Sequence, residues 1–317
     1  MARLRFFKVL TAFMAMALVF SFGGVSEAAR PAEPVKFAQL YGKYDFSSEE
    51  IVTVIVELEA VSVLEAKHSG RSQSLGNLQA ERNRIIRELG KSTAVQLNRD
   101  YSYVFSGMSL DLPENKIPVL LAIPGVKAVY PNLEYTVPPE PIIDELPDMI
   151  DSAPYIGAER AWNELGFTGE GITVAVIDTG CDYTHPDLAH AFGEYKGWDF
   201  VDNDADPQET PPGIIPDGET AHGTHVSGTI AANGLIKGIA PDAKLLVYRV
   251  LGPGGSGSTT NVVAGIERAV LDGADVMNLS LGNTLNDPDW ATSLAMDRAM
   301  AEGVVAVTSN GNAGPDN

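Results

Sequence analysis

The sequence predicts an α/β protein: a three-layer parallel sheet with helices on both faces, preceded by a smaller α+β domain. Three observations carry this. Apolar strand-like runs alternate with helical patterns from about residue 155 onward, residues 46–137 read β-α-β-β-α-β, and a Pro- and acid-rich stretch separates the two. At about 150 residues per domain, 317 residues fit roughly two domains.

The chain opens with Arg3, Arg5 and Lys8, then an apolar run over 9–20, then small residues leading to Ser26-Glu27-Ala28. A basic start, a short apolar core and small residues at positions −3 and −1 predict a secretory signal peptide over 1–28. The run is shorter than the about twenty residues that span a bilayer. No later segment is long or apolar enough to do so. The expectation is an exported protein, extracellular or associated with the cell wall, with no membrane anchor.

In the small domain, Val52, Val54, Val56 and Leu58 alternate with Thr53, Glu57 and Glu59, which predicts a strand with one buried face. Leu75, Leu78, Ile85, Ile86 and Leu89 fall on one side of a helix ended by Gly90. Strands around 94–105 and 108–112, a short helix around 114–123 and a strand at 126–130 complete the split βαβ order, a ferredoxin-like arrangement. About ninety residues support one modest core. No catalytic grouping is visible here, and His68 stands alone. Residues 138–154 read as an extended linker, because Pro138, Pro139, Pro141 and Pro147 are interspersed with acids.

The larger block has near-continuous Val/Ile/Leu strands at 172–178, 243–251, 275–281 and 304–309, and helices at 222–232, 259–271 and 288–301. Such strands belong to a parallel sheet covered on both faces. The working crevice of such a sheet lies beyond the carboxyl ends of its strands. Asp178, Ser280-Leu281-Gly282 and Asn312 all fall there.

Composition narrows the function. Twenty-two basic residues face 42 acidic ones, a net charge of −20, and the last block (151–317) alone carries −17. Nucleic acid and anionic membrane need a basic footprint, so neither is the expected partner. A single cysteine, Cys181, excludes an internal disulfide framework and a cysteine zinc cluster.

Two segments carry chemistry. Val174-Ala-Val-Ile-Asp178-Thr-Gly180 puts a carboxylate at the end of a buried strand. An aspartic protease dyad needs a second D-T-G or D-S-G, which this chain lacks, and an aspartate that merely caps a turn is the plain alternative. His222-Gly-Thr-His225-Val-Ser-Gly-Thr-Ile230 opens a helix with a histidine. Such a histidine, facing a strand-end Asp, can hold one ring nitrogen on the carboxylate and aim the other at a nucleophile. Zinc is disfavoured, since Gly223 stands where H-E-x-x-H needs its glutamate.

With H-P-D-L (185–188), N-L-S-L-G (278–282) and S-N-G-N-A-G-P (309–315), these segments resemble the subtilisin family of serine proteases. Residues 46–137 are similar to the inhibitor-type propeptide that precedes many such enzymes, and the whole layout resembles the large secreted bacterial subtilases. The resemblance implies a partial subtilisin-like fold over 155–317 and an Asp-His-Ser mechanism. Asp178 would orient the imidazole, His222 would be general base and then acid, and Asn312 would donate to the oxyanion. Gly255-Ser256-Gly257 and Ser280-Leu281-Gly282 match the two segments that clamp an extended protein or peptide substrate by β-augmentation, though glycine-rich runs also make ordinary loops. The propeptide would act as an intramolecular inhibitor, laying its tail through the cleft, with activation by cleavage within the linker.

Two departures matter. No serine after Asp178 has the family's G-T-S-M-A context, so the chain reads as cut short before its nucleophile, and inactive as written. The chemistry needs no cofactor, but the family carries structural calcium. Asp187 in H-P-D-L matches a calcium ligand, while the 233–241 loop is shorter than the site requires. Asp202, Asp204 and Asp206, with Asp199 and Glu209, alternate oxygen donors suited to a hard cation, and equally read as a solvated acidic loop. Pro207 excludes an EF-hand. A non-catalytic peptide-binding protein and a free-standing propeptide-type inhibitor are the rival readings.

Overall fold

The computed structural model describes residues 38–137, 149–216 and 218–312. The signal-peptide expectation (1–28) and most of the linker (138–148) lie outside the described residues. In chain order the first part holds β1 (Gln39–Leu40), β2 (Ile51–Leu58), α1 (Val63–His68), α2 (Leu75–Leu89), β3 (Gln96–Tyr101), β4 (Gly107–Pro113), α3 (Ile117–Leu121), β5 (Val126–Pro131) and β6 (Glu134–Thr136). Then follow α4 (Met149–Tyr155), α5 (Ala158–Leu165), β7 (Thr173–Asp178), β8 (Gly197–Asp199), α6 (His222–Ala231), β9 (Lys244–Arg249), β10 (Ser256–Ser258), α7 (Thr259–Leu271), β11 (Val276–Leu279), α8 (Ala291–Ala301) and β12 (Val305–Thr308).

The first sheet has the order β1-β5-β2-β4-β3, antiparallel except where β1 joins β5. Ser62 and Ser74 cap α1 and α2 through side-chain bonds to Glu65 N and Asn77 N. Val54, Val56 and Leu58 face α2 and α3 and form one core with Ile85, Leu89, Met108 and Leu120. The opposite face is buried as well, which corrects the one-sided strand. Ile55, Tyr101, Phe105 and Tyr130 join a cluster with residues of α7 and α8. Glu57 is only 2% exposed because Lys127, Arg298 and Tyr130 bond its carboxylate.

The second sheet is wholly parallel, in the order β12-β11-β7-β9-β8. Val174 and Val176 on one face of β7 pack with Ala231 of α6 and Leu245 of β9. Ala175 and Ile177 on the other pack with α7 and α8. The layers therefore run helices, antiparallel sheet, α7–α8, parallel sheet, α6. The four strands expected from apolar runs are β7, β9, β11 and β12. The expected helices are α6, α7 and α8. Residues 149–154, expected to be extended linker, lie in α4 instead, with Pro154 near its carboxyl end.

Polar anchors join the two parts. The buried Glu267 of α7 accepts bonds from the backbone amides of Ser102, Tyr103, Val104 and Phe105 (2.8–3.4 Å). His68 and Lys67, unremarkable in the sequence, both pair with Glu302.

Candidate active site

Asp178 ends β7, the middle strand of the parallel sheet, and is fully buried. Its Oδ1 accepts the Thr179 amide (2.7 Å) and faces His222 Nδ1 at 2.7 Å. Burial pushes the Asp178 carboxyl above its ordinary value, while the His222 bond and the Thr179 amide pull the other way. Oδ2 is buried with no hydrogen-bond partner among the described residues. The His222 side chain is 18% exposed, so the pair has one dry end and one open end.

Two glycines allow this approach. A Cβ at Gly223 would stand 2.1 Å from the Gly180 carbonyl oxygen, so only glycine brings the first turn of α6 against the strand end. Gly180 itself has φ 115°, and a Cβ there would meet Gln208 O at 2.4 Å. The start of α6 is capped from a distance. Ala221 offers no side-chain bond, so Thr179 Oγ1 accepts the Gly223 amide (2.9 Å) and Glu209 Oε1 accepts the Thr224 amide (2.8 Å). Glu209 Oε2 also accepts Thr220 Oγ1 at 2.6 Å. Sequence reading missed both caps, since neither sits at the helix's own N-cap position.

Residues 134–137 run between the two glycine-containing segments. On one side β6 pairs antiparallel with β10, Tyr135 opposite Gly257 and Thr136 opposite Ser256, and the Val137 amide donates to Gly255 O (3.2 Å). On the other side Thr136 and Gly282 exchange both amide bonds at 3.0 Å. Leu281 is buried beside this strand's cluster, and Ser280 accepts a bond from Asn278 Nδ2. The Gly255-Ser256-Gly257 and Ser280-Leu281-Gly282 segments therefore hold an extended strand of this same chain. Asn312 lies exposed beyond the end of β12, after Gly311 with φ 77°.

The acidic residues offered for a cation do not converge. Asp202, with the buried Asp199, pairs with Arg249 (2.7 and 2.6 Å), a buried arginine at the end of β9 that the sequence reading overlooked. Asp204 accepts the Asp206 amide, and Asp206 accepts the Tyr183 hydroxyl. Asp187 Oδ2 accepts the Ile236 amide at 3.0 Å, and its backbone carbonyl accepts from Asn233. The short 233–237 turn satisfies this carboxylate with its own backbone. Among the described residues no group of three or more His, Cys, Asp or Glu is arranged to hold a metal ion.

Comparison with known proteins adds lineage. A profile described as "Subtilase family" matches residues 169–317, and one described as "Peptidase inhibitor I9" matches 53–138. The "Minor extracellular protease Vpr" of Bacillus subtilis (strain 168) is 58% identical over 298 residues, covering 91% of this chain and 37% of that protein. An "Alkaline protease" of Alkalihalobacillus alcalophilus is 31% identical over 306 residues, covering 94% of this chain and 67% of that one. The crystal structure of fervidolysin from Fervidobacterium pennivorans, described as a keratinolytic enzyme related to subtilisin, aligns with a TM-score of 0.59 and 24% identity. It covers 87% of this chain and 42% of that one, a likeness of fold. The chain thus spans well under half the length of the first of these relatives.

Proposed function

The chain belongs to the subtilase family, and from that premise we propose that it is the precursor part of a secreted serine endopeptidase. In this reading 1–28 direct export, 46–137 form the inhibitory propeptide, activation cuts within 138–154, and 155–317 supply the first part of the peptidase domain. Asp178 fixes the imidazole of His222 through Nδ1–H, leaving Nε2 to take the proton of a serine hydroxyl and return it to the leaving amine. The serine comes from sequence that is not among these 317 residues. Asn312 donates its side-chain amide to the oxyanion, an interaction worth about 3–4 kcal/mol in the transition state. Segments 255–257 and 280–282 bind protein or peptide substrates as an added strand.

The observation that carries this reading is the His222–Asp178 pair at 2.7 Å, at the carboxyl end of the middle strand. The strand 134–137, bonded on both edges by the two clamp segments, supports a product-like inhibitory role for the propeptide tail. The test is to express the complete reading frame and label the folded protein with a fluorophosphonate. One serine outside these 317 residues takes the probe, and His222→Ala abolishes the label. Label retained by His222→Ala, or absent from the folded, matured protein, overturns the assignment and favours a peptide-binding protein.

A further inference from the structure

One carboxylate grips the chain on both sides of His222. Glu209 Oε2 accepts the Thr220 hydroxyl (2.6 Å), two residues before the histidine. Oε1 accepts the amide and the hydroxyl of Thr224 (2.8 and 3.0 Å), two residues after it. The grip has its own anchor. The Thr220 amide donates to Thr210 O and the Thr210 amide to Thr220 Oγ1, both at 3.0 Å. The buried Arg249 then donates through Nη2 to Thr210 Oγ1 at 2.8 Å. Arg249 ends β9 in register with Asp178 of β7. A continuous line of bonds therefore runs from the strand beside the acid, through residues 210, 220 and 209, to the helix turn that carries the histidine. A second line is short: Thr179, adjacent to Asp178, holds the Gly223 amide. These two lines stand in for the cap that Ala221 does not supply.

The Glu209 charge is adverse where it sits. Burial is the main cause that pushes the Asp178 carboxyl upward, and the charge of Glu209 pushes the same way. What Glu209 brings to the pair is therefore geometric: two oxygens spaced to reach both flanks of His222.

We propose that Glu209 is a positioning residue for the general base, holding His222 so that Nδ1 stays on Asp178 and Nε2 stays aimed at the serine. The proposal rests on the reading of His222 as that base. Loss of the grip lets the imidazole leave its productive geometry, which lowers the rate of the chemical step. Substrate binding by 255–257 and 280–282 does not pass through Glu209 and is kept. Glutamine has the same reach as glutamate. Its carbonyl oxygen accepts from Thr224, and its amide donates to the Thr220 hydroxyl oxygen. Alanine does neither.

The experiment uses the matured protein from the complete reading frame, with kcat counted per active site by fluorophosphonate titration, so that unfolded molecules do not enter. Glu209→Ala lowers kcat about tenfold with KM within about twofold of wild type. Glu209→Gln restores kcat to within about twofold. A readout independent of turnover is proton NMR with histidine-selective 15N labelling. The Nδ1–H proton of His222, assigned by its loss in His222→Ala, resonates at low field in wild type and Glu209→Gln and broadens away in Glu209→Ala. An unchanged kcat or an unchanged resonance in Glu209→Ala overturns the proposal, as does a rise of KM in place of the fall in kcat. So does a Glu209→Gln variant as slow as the alanine one, since charge and not geometry would then be acting. If Glu209→Ala does not fold, Thr220→Val severs one arm of the grip and is judged by the same two readouts, with a loss of kcat of about threefold expected. A wild type that neither hydrolyses peptides nor takes the label sinks the protease assignment instead, and the proton resonance still judges Glu209.

Discussion

Cys181 follows the Asp178-Thr-Gly turn and is fully buried, its amide bonded to Pro207 O. Burial pushes its thiol up to about 12. At pH 8 almost none of it is thiolate, the form that reacts, so the side chain behaves as a small apolar group. The folded protein should leave Ellman's reagent unreduced at pH 8 over an hour, and titrate one thiol in 6 M guanidinium. Modification of the native protein at the rate of a free thiol would contradict this. The neighbouring Asp178 differs in kind. It is also buried, but His222 and the Thr179 amide compensate its charge, and its second oxygen is left in a dry site.

Helix α6 shows how an element that carries a proposed catalytic side chain is fixed by residues remote in sequence. Its own N-cap, Ala221, makes no side-chain bond, and the free amides of its first turn go to Thr179 and Glu209. A charge-assisted bond to a helix N-terminus is worth more than a neutral cap. Glu209→Ala is therefore expected to cost about 2 kcal/mol in urea unfolding, with Glu209→Gln losing less. A change below about 0.5 kcal/mol for Glu209→Ala would show that water replaces the cap. The same helix illustrates what was legible. His222 and Asp178 could be read because a strand-end acid and a helix-start histidine follow from local pattern and family motif. Glu209, Thr179 and Arg249 could not, because each acts across a loop whose course the sequence does not state. The long apolar strands were legible for the same local reason. The three-residue strands β6, β8 and β10 were not, since a strand that short has no periodicity and exists only through its partner. The Pro-rich stretch concealed α4, where Pro154 misled by sitting within the helix. On β2 the alternation was visible, but it could not reveal that α7 and α8 cover the second face.

For the whole molecule, the contact between the antiparallel sheet and α8 is centred on a buried charge. Burial opposes ionisation of Glu57, yet Lys127 and Arg298 bond it from two sides and hold its carboxyl below the ordinary 4.5. A carboxyl whose folded value lies below its unfolded value adds stability above the unfolded pKa, and loses it as pH falls through the folded value. The unfolding midpoint of the chain should therefore drop as pH falls from about 5 towards 3. Glu57→Gln is less stable at pH 7, because Arg298 and Lys127 lose their counter-charge, but its further drop in acid is shallower. Parallel pH profiles for the two proteins would contradict this.

Glu267 has a different consequence. Its carboxylate is bound by the amides of residues 102–105 and touches none of their side chains through those bonds. The recognition is of a backbone shape, four N–H groups turned to one point, and it is blind to the letters that make the loop. Packing, not this bond, fixes the letters at Val104 and Phe105, both fully buried in the shared cluster, whereas half-buried Tyr103 can change without disturbing the bond to Glu267.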